Sequence, residues 1–331
     1  MKSFTFILIL GLLSTKCVAQ SQSKLDCDSS SLTGGLLWKI SGNGLSQESY
    51  LFGTFHFVES DFMKEVPGLN EALGKSAQVG LESDMLKPRS AADAYSIPKE
   101  AYMPDSISYE DIFKNSKEFL YVDSFMIATN RKFYKRVKPL YWSQQLQIIK
   151  VYEKMINEKK LSLGKAIIDV GIYQKAKDMH KELFFMETHE ELKEIVKEIG
   201  AFPYSIVDLD TQAHKLYLAC KDSIISDSLD IVAKKIKLYK QQNLKDYSDS
   251  DKFGLTEKEL SDNPKLSAKL YDLFEKRLSQ DRNKKWLPII ESNIRKAPSL
   301  MAVGIGHLAG ENGLIILLRK DGYTVDPVLK K

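Results

Sequence analysis

The sequence predicts an α/β protein: a central mixed sheet built from both ends of the chain, with a large helical insertion over roughly residues 90–285. Three observations carry this reading. Short apolar runs bounded by glycine and polar turn residues stand at both ends of the chain. The stretch between them is rich in lysine and glutamate, with apolar residues at helical spacing, as in Ile148, Ile149, Tyr152, Met155 and Ile156. Within that stretch, Glu182-Leu183-Phe184-Phe185-Met186 is a short apolar interruption that reads as a strand returning to the sheet.

The chain opens with an address. Met1-Lys2 is positive, Phe4 to Leu13 is an apolar run, and small residues follow around Val18, with Cys17 and Ala19 on either side. At about 1.5 Å per residue the run is too short to cross a bilayer. Residues 1–19 are therefore expected to be a signal peptide cleaved after Ala19, giving an exported protein, periplasmic or secreted. Anchoring through a lipidated Cys17 is disfavoured by Lys16, which stands where a lipid-attachment box has a small residue. Export permits a disulfide between the remaining Cys27 and Cys220, and two unpaired thiols fit the sequence equally.

Residues 20–34 read as a flexible leader, and 35–331 as a single domain. Leu36–Ile40 is the first expected strand, Ser41–Gly44 a hairpin turn and Ser49–Thr54 the second strand. A helix over Pro67–Lys75 leads to a strand at Ala77–Glu82. Helical patterns then recur at Tyr173–His180, Glu190–Ile199, Tyr204–Ser226, Asp227–Gln241, Thr256–Asp262 and Pro264–Arg295. At the end, Leu300–Gly304 is a buried strand, Gly306–Gly310 a tight loop and Glu311–Lys320 a helix stopped by Asp321-Gly322. Tyr323–Val328 closes the sheet.

Composition narrows function by exclusion. The 331 residues are 43% hydrophobic and 28% charged, which is globular and neither disordered nor polytopic. A net charge of +4 is too small for a nucleic-acid footprint. There is no Gly-x-Ser-x-Gly elbow and no Walker loop. His189-Glu190-Glu191-Leu192-Lys193 begins like a zincin helix, but Lys193 stands where the second histidine belongs.

Two segments resemble one another instead. Gly53-Thr54-Phe55-His56 and Gly304-Ile305-Gly306-His307 are both Gly-x-x-His directly after an apolar strand. Glycine lets the backbone turn sharply at a strand exit, and strand exits are where open α/β sheets place ligands. His180 and His214 lie in helical patterns without partner spacing and read as structural or exposed.

With Trp38-Lys39-Ile40, Tyr50-Leu51-Phe52 before the first motif, Leu81-Glu82-Ser83-Asp84, and Leu308-Ala309-Gly310-Glu311-Asn312-Gly313 after the second, the chain resembles the TraB/GumN family. That family is related to TIKI metalloproteases and more distantly to erythromycin esterase-like and ChaN-like proteins. The resemblance runs from about Leu36 to Val328 and takes in Ile168-Asp169, Ala176, Met186-Glu187-Thr188 and Arg282-Asn283 before Trp286.

The resemblance implies a site of His56, Glu82, Arg282 and His307, with Glu187 and Asn283 beside them. In the TIKI-like relatives it implies manganese or cobalt and a peptide substrate; in the esterase-like relatives, a histidine base without metal. His56, Glu82 and His307 form an open ligand set for a divalent ion (manganese, cobalt or zinc) that activates water. Glu187 as second carboxylate moves the proton, and Arg282 stabilises an oxyanion. A carboxylate at the end of an apolar strand, as at Glu82, is costly unless paired or used. Glu187 has a plainer alternative beside a helix start, where Thr188 and Glu191 make a capping box. The expected function is thus an exported, metal-dependent hydrolase acting on peptide bonds or a small acyl substrate. The alternative is a non-catalytic envelope protein that sequesters a peptide signal or haem-like ligand. No membrane span is expected in the mature chain.

Overall fold

The computed structural model describes residues 34–84, 97–158, 162, 164–221, 225–249 and 264–329. The expected signal peptide, most of the leader, Cys27 and the helix over Thr256–Asp262 lie outside these residues. Six strands form one sheet: β1 (Leu37–Gly42), β2 (Ser49–Thr54), β3 (Gln78–Leu81), β4 (Glu182–Phe185), β5 (Ser299–Gly304) and β6 (Tyr323–Pro327). Their order is β4-β3-β5-β2-β1-β6. From β4 to β2 all neighbours are parallel, whereas β1 is antiparallel to both β2 and β6. The sheet is mixed and takes strands from both ends of the chain, with a helical region between.

Burial follows from this order. β3, inside the parallel part, and β2, at its junction with antiparallel β1, are buried at every residue, as strands covered on both faces must be. The edge strand β6 alternates, with Tyr323 and Val325 buried and Thr324 and Asp326 exposed. Trp38, Leu51, Phe52, Leu300, Met301 and Val303 fill the sheet's core.

The main helices are α1 (Leu69–Lys75), α2 (Ser116–Ala128), α3 (Pro139–Asn157), α4 (Ile168–Asp178), α5 (His189–Ala201), α6 (Leu209–Cys220), α7 (Ile225–Lys240), α8 (Asp281–Lys296) and α9 (Leu314–Lys320). The chain separates into two compact units. A sheet unit takes the described parts of Leu10–Lys87, Leu161–Lys193 and Val232–Lys331; a helical unit takes those of Pro88–Lys160 and Glu194–Ile231. The helical unit has its own core, in which Tyr109, Val122, Met126, Tyr134, Leu146, Leu216 and Cys220 pack together.

Several boundaries differ from the sequence reading; the helix expected over Tyr173–His180, for example, already begins at Ile168. The helix expected over Tyr204–Ser226 stops at Ile206 and restarts at Leu209, where the Asp208 side chain accepts from the Thr211 N–H as an N-cap. The stretch expected as one helix from Pro264 is π-helical over Tyr271–Gln280 before α8 begins. The C-terminal helix starts at Leu314 rather than Glu311, because Gly313 N–H closes a turn onto the Gly310 carbonyl.

Candidate active site

Four parallel strands in one register finish at the same edge of the sheet. Thr54, the last residue of β2, pairs with Gly304, the last of β5, while Leu81 of β3 lies between Ala302 and Phe185. His56, Glu82, Glu187 and His307 each follow their strand by one to three residues. The register carries on past the strands, for the Glu187 N–H donates to the Glu82 carbonyl at 2.9 Å. Two helix first turns complete the group: α4 brings Asp169, and α8 brings Arg282 and Asn283.

The two motif glycines are needed for close approach, not for a left-handed turn, since neither has a positive φ. A Cβ on Gly53 would lie 2.8 Å from Leu308 Cδ1 and 3.2 Å from Ile305 Cγ1, so the second motif packs directly onto the first. At Gly304 the N–H donates to Glu82 Oε1 at 2.6 Å, and a Cβ would stand 3.3 Å from that oxygen.

Arg282 organises the centre. Nε and Nη2 donate to Glu187 Oε2 and Oε1 at 3.0 and 2.6 Å, a two-pronged pair. Nη2 also donates to Glu82 Oε2 at 2.7 Å. Nη1 donates to the Leu278 carbonyl and to His307 Nε2, both at 3.0 Å. All five guanidinium N–H bonds are thereby used. The Leu278 carbonyl comes from the π-helical turns just before α8, a widening of the kind that recurs at functional sites. Arg282 also lies over the Trp286 ring at 4.5 Å.

His307 is fixed from both sides. Asn283 uses its amide N–H bonds on the carbonyls of His307 (3.1 Å) and Asn312 (2.8 Å), so its Oδ1 faces His307 Nδ1 at 2.7 Å. Nδ1 therefore carries the proton, and the Nε2 lone pair accepts from Arg282. Burial and the neighbouring Arg282 charge push His307 down to about 3, so it is neutral.

His56 has the opposite character. Its Nδ1 lies 2.9 Å from Asp169 Oδ2, while Thr54 Oγ1 donates to Asp169 Oδ1 at 2.5 Å. Burial opposes a charge on His56, but Asp169 and then Glu82 outweigh it and raise the imidazole to about 9. For Glu82, burial is outweighed chiefly by the Arg282 charge, with the Gly304 N–H adding to it, and the carboxylate is held down at about 2. Glu187 is raised by burial. The side chains of Glu82 and His56 remain 21% and 19% exposed, against 1% for Glu187 and 5% for Arg282. The exposed face thus presents a cation and an anion backed by buried partners.

The structure brings His56, Glu82, Glu187, Arg282, Asn283 and His307 to one strand edge. The capping box behind Glu187 also forms, with Thr188 N–H donating to Glu191 Oε2 and Glu191 N–H to Thr188 Oγ1. The cap does not exclude an inward Glu187, because Thr188 caps while Glu187 turns toward Arg282. His180 terminates α4 at a φ of 54°, and His214 pairs with Glu118 in the helical unit. Cys220 is buried in the helical unit's core. Sequence reasoning gave a role in the site neither to Asp169 nor to Thr54, although Thr54 stands within the first motif. The signal for Asp169 was an acidic residue in a helix first turn, which ordinarily reads as favourable to the helix dipole.

The residues do not fit a His/Glu/His metal shell in this arrangement. A ligating imidazole needs a free nitrogen lone pair, and that of His307 accepts an Arg282 N–H. Glu82 and Glu187 are both drawn onto the same guanidinium, whose charge repels a cation. Among the described residues, no three His, Cys, Asp or Glu side chains are spaced to hold a metal ion.

No helix among the described residues is long and apolar enough to cross a membrane. No curated protein and no solved structure is similar enough to this chain to count as a match. The model of the TraB/PrgY/gumN family matches residues 36–327, nearly the whole chain, and the chain belongs to that family.

Proposed function

We propose that this chain is a hydrolase of acyl bonds, with peptide bonds as the substrate class, acting at the His56–Glu82 face. The observation that carries this is a pair of neighbouring, partly exposed groups held in opposite charge states, His56 by Asp169 at 2.9 Å and Glu82 by Arg282 at 2.7 Å, which raise the first and lower the second. Titratable groups pushed apart in this way divide into acid and base. Glu82 orients a water and takes its proton as the new C–O bond forms, when the bound water has become strongly acidic. His56 gives its Nε2 proton to the leaving nitrogen as the C–N bond breaks, releasing a carboxylic acid and an amine. Glu82 then returns its proton to His56, and both groups regain their resting states. Arg282 keeps Glu82 ionised and aimed; with no N–H left over, it serves as a positioning residue.

The test is turnover of a mixed peptide library, read by mass spectrometry. Glu82→Gln and His56→Gln are each expected to lose at least about 100-fold, with His180→Ala equal to wild type. Binding of peptides by wild type without cleavage would replace this reading with the sequestering one.

A further inference from the structure

Helix α2 in the helical unit has two apolar sides. Val122 and Met126 are buried, yet Leu120 and Ile127, seven residues apart and hence on one stripe, are 61% and 53% exposed. Tyr121 beside them is also exposed. The helix ends with Asn130 at a φ of 60°, Asn130 N–H bonding to the Ile127 carbonyl and Arg131 N–H to the Met126 carbonyl. This paired closure turns the chain back at the Ile127 end of the stripe.

Beyond that closure runs Arg131-Lys132-Phe133-Tyr134-Lys135-Arg136-Val137-Lys138, five basic residues in eight positions with no acid. Tyr134 and Val137 are buried and pin the segment, while Phe133 is 73% exposed, with the Arg136 guanidinium 5.3 Å from its ring. Lys135 is paired with Glu110 and Asp123. Arg131, Lys132, Arg136 and Lys138 have no carboxylate partner among the described residues.

We propose that this end of the helical unit is a docking surface for an anionic lipid bilayer, with Phe133 and the Leu120–Ile127 stripe at headgroup depth and the four cations without carboxylate partners on lipid phosphates. The charge complementarity asks for a polyanion, and the apolar side chains select among polyanions. A nucleic acid or acidic polysaccharide in water offers nothing in which to bury leucine, isoleucine and phenylalanine, whereas a bilayer interface offers both environments within a few ångströms. Each such cation near the surface raises the partition coefficient about fivefold, so four of them with one inserted aromatic suffice for reversible association.

The experiment is co-sedimentation of the full chain with phosphatidylcholine vesicles, with and without about one quarter phosphatidylglycerol, at low and high salt. Binding is expected only to the anionic vesicles and is lost at high salt, where surface charge is screened. Lys132→Gln should lower the partition coefficient about fivefold and Lys132→Gln with Arg136→Gln about 25-fold, by the same charge contribution. Phe133→Ser should lower it about tenfold. These side chains are exposed, so circular dichroism and the unfolding midpoint should match wild type. The proposal fails if wild type stays in the supernatant with anionic vesicles at low salt, or if the variants bind as wild type does. It fails equally if wild type ignores vesicles and light scattering shows a dimer that Phe133→Ser abolishes, which would assign the face to a second copy of the chain.

Discussion

Arg282 Nη1 donates to His307 Nε2 across 3.0 Å, so the nitrogen best placed to hold a metal ion holds a guanidinium instead. The pair joins two distant parts of the architecture, the first turn of α8 and the exit of β5. It also divides the site electrically. On the buried side stand neutral His307 and Arg282 with Glu187; toward solvent stand Glu82 and His56, the latter backed by buried Asp169.

Turnover should therefore survive chelation. Protein treated with a strong chelator and checked by elemental analysis is expected to cleave peptides at the untreated rate. Activity that disappears on chelation and returns with manganese or cobalt would mean that Arg282 leaves His307 on metal loading, and metal-activated water would replace the His56–Glu82 mechanism.

Arg282→Gln should be strongly destabilising. It removes the two-pronged partner of Glu187, whose side chain is 1% exposed, and leaves a carboxylate buried without its cation. Breaking a buried pair from one side costs about 3–5 kcal/mol, read as a lower urea midpoint with an unchanged slope. Arg282→Lys keeps the charge but loses the fork, so it should recover only part of the loss. Equal midpoints for wild type and Arg282→Gln would contradict this network.

The fold was readable because its strands are short, apolar and bounded by turn residues. Ser49–Thr54 is observed as expected, and Leu36–Ile40 only shifts to Leu37–Gly42. What sequence alone did not carry was partnership. Arg282 sits among Lys276, Arg277, Lys284 and Lys285, where periodicity points to a solvated face, and only the family resemblance placed it in the site. Its burial arises because α8 starts at the strand edge and aims its first turn at two carboxylates. Asp169 was legible as a residue and not as a role, since no local spacing links it to His56, 113 positions away. The neutral state of His307 likewise depends on Asn283, whose side chain fixes the tautomer from another element.

Gly53→Ala should damage both motifs at once. The added methyl carbon would sit 2.8 Å from Leu308 Cδ1, close to the loop that bears His307, in a well-packed region. Overpacking of this kind costs about 1–3 kcal/mol, and the strain falls on the relative placement of β2 and the second Gly-x-x-His loop. A lower thermal midpoint together with lower turnover per folded molecule is expected. Wild-type values for both would show that the loop yields freely and that the glycine is dispensable.

Two shifted groups set the pH dependence of the site. His56 is raised from an ordinary 6.5 to about 9, chiefly by Asp169 acting against burial. A raised histidine adds stability in full below its unfolded value near 6.5, and the contribution is lost as pH climbs through about 9. Glu82, lowered to about 2, contributes above its ordinary 4.5 and loses the contribution as pH falls through about 2. If His56 donates the proton to the leaving nitrogen, kcat/KM should stay level through neutral pH and then fall about tenfold per pH unit above about 9. Asp169→Asn keeps a partner for the ring but removes the charge, so the descending limb should move down toward 6.5. At pH 6 the variant should then lie closer to wild type than at pH 8. A residue that only held the fold together would lower the profile uniformly, without moving the limb. A limb that stays near 9 in Asp169→Asn would take the proton-donor role away from His56.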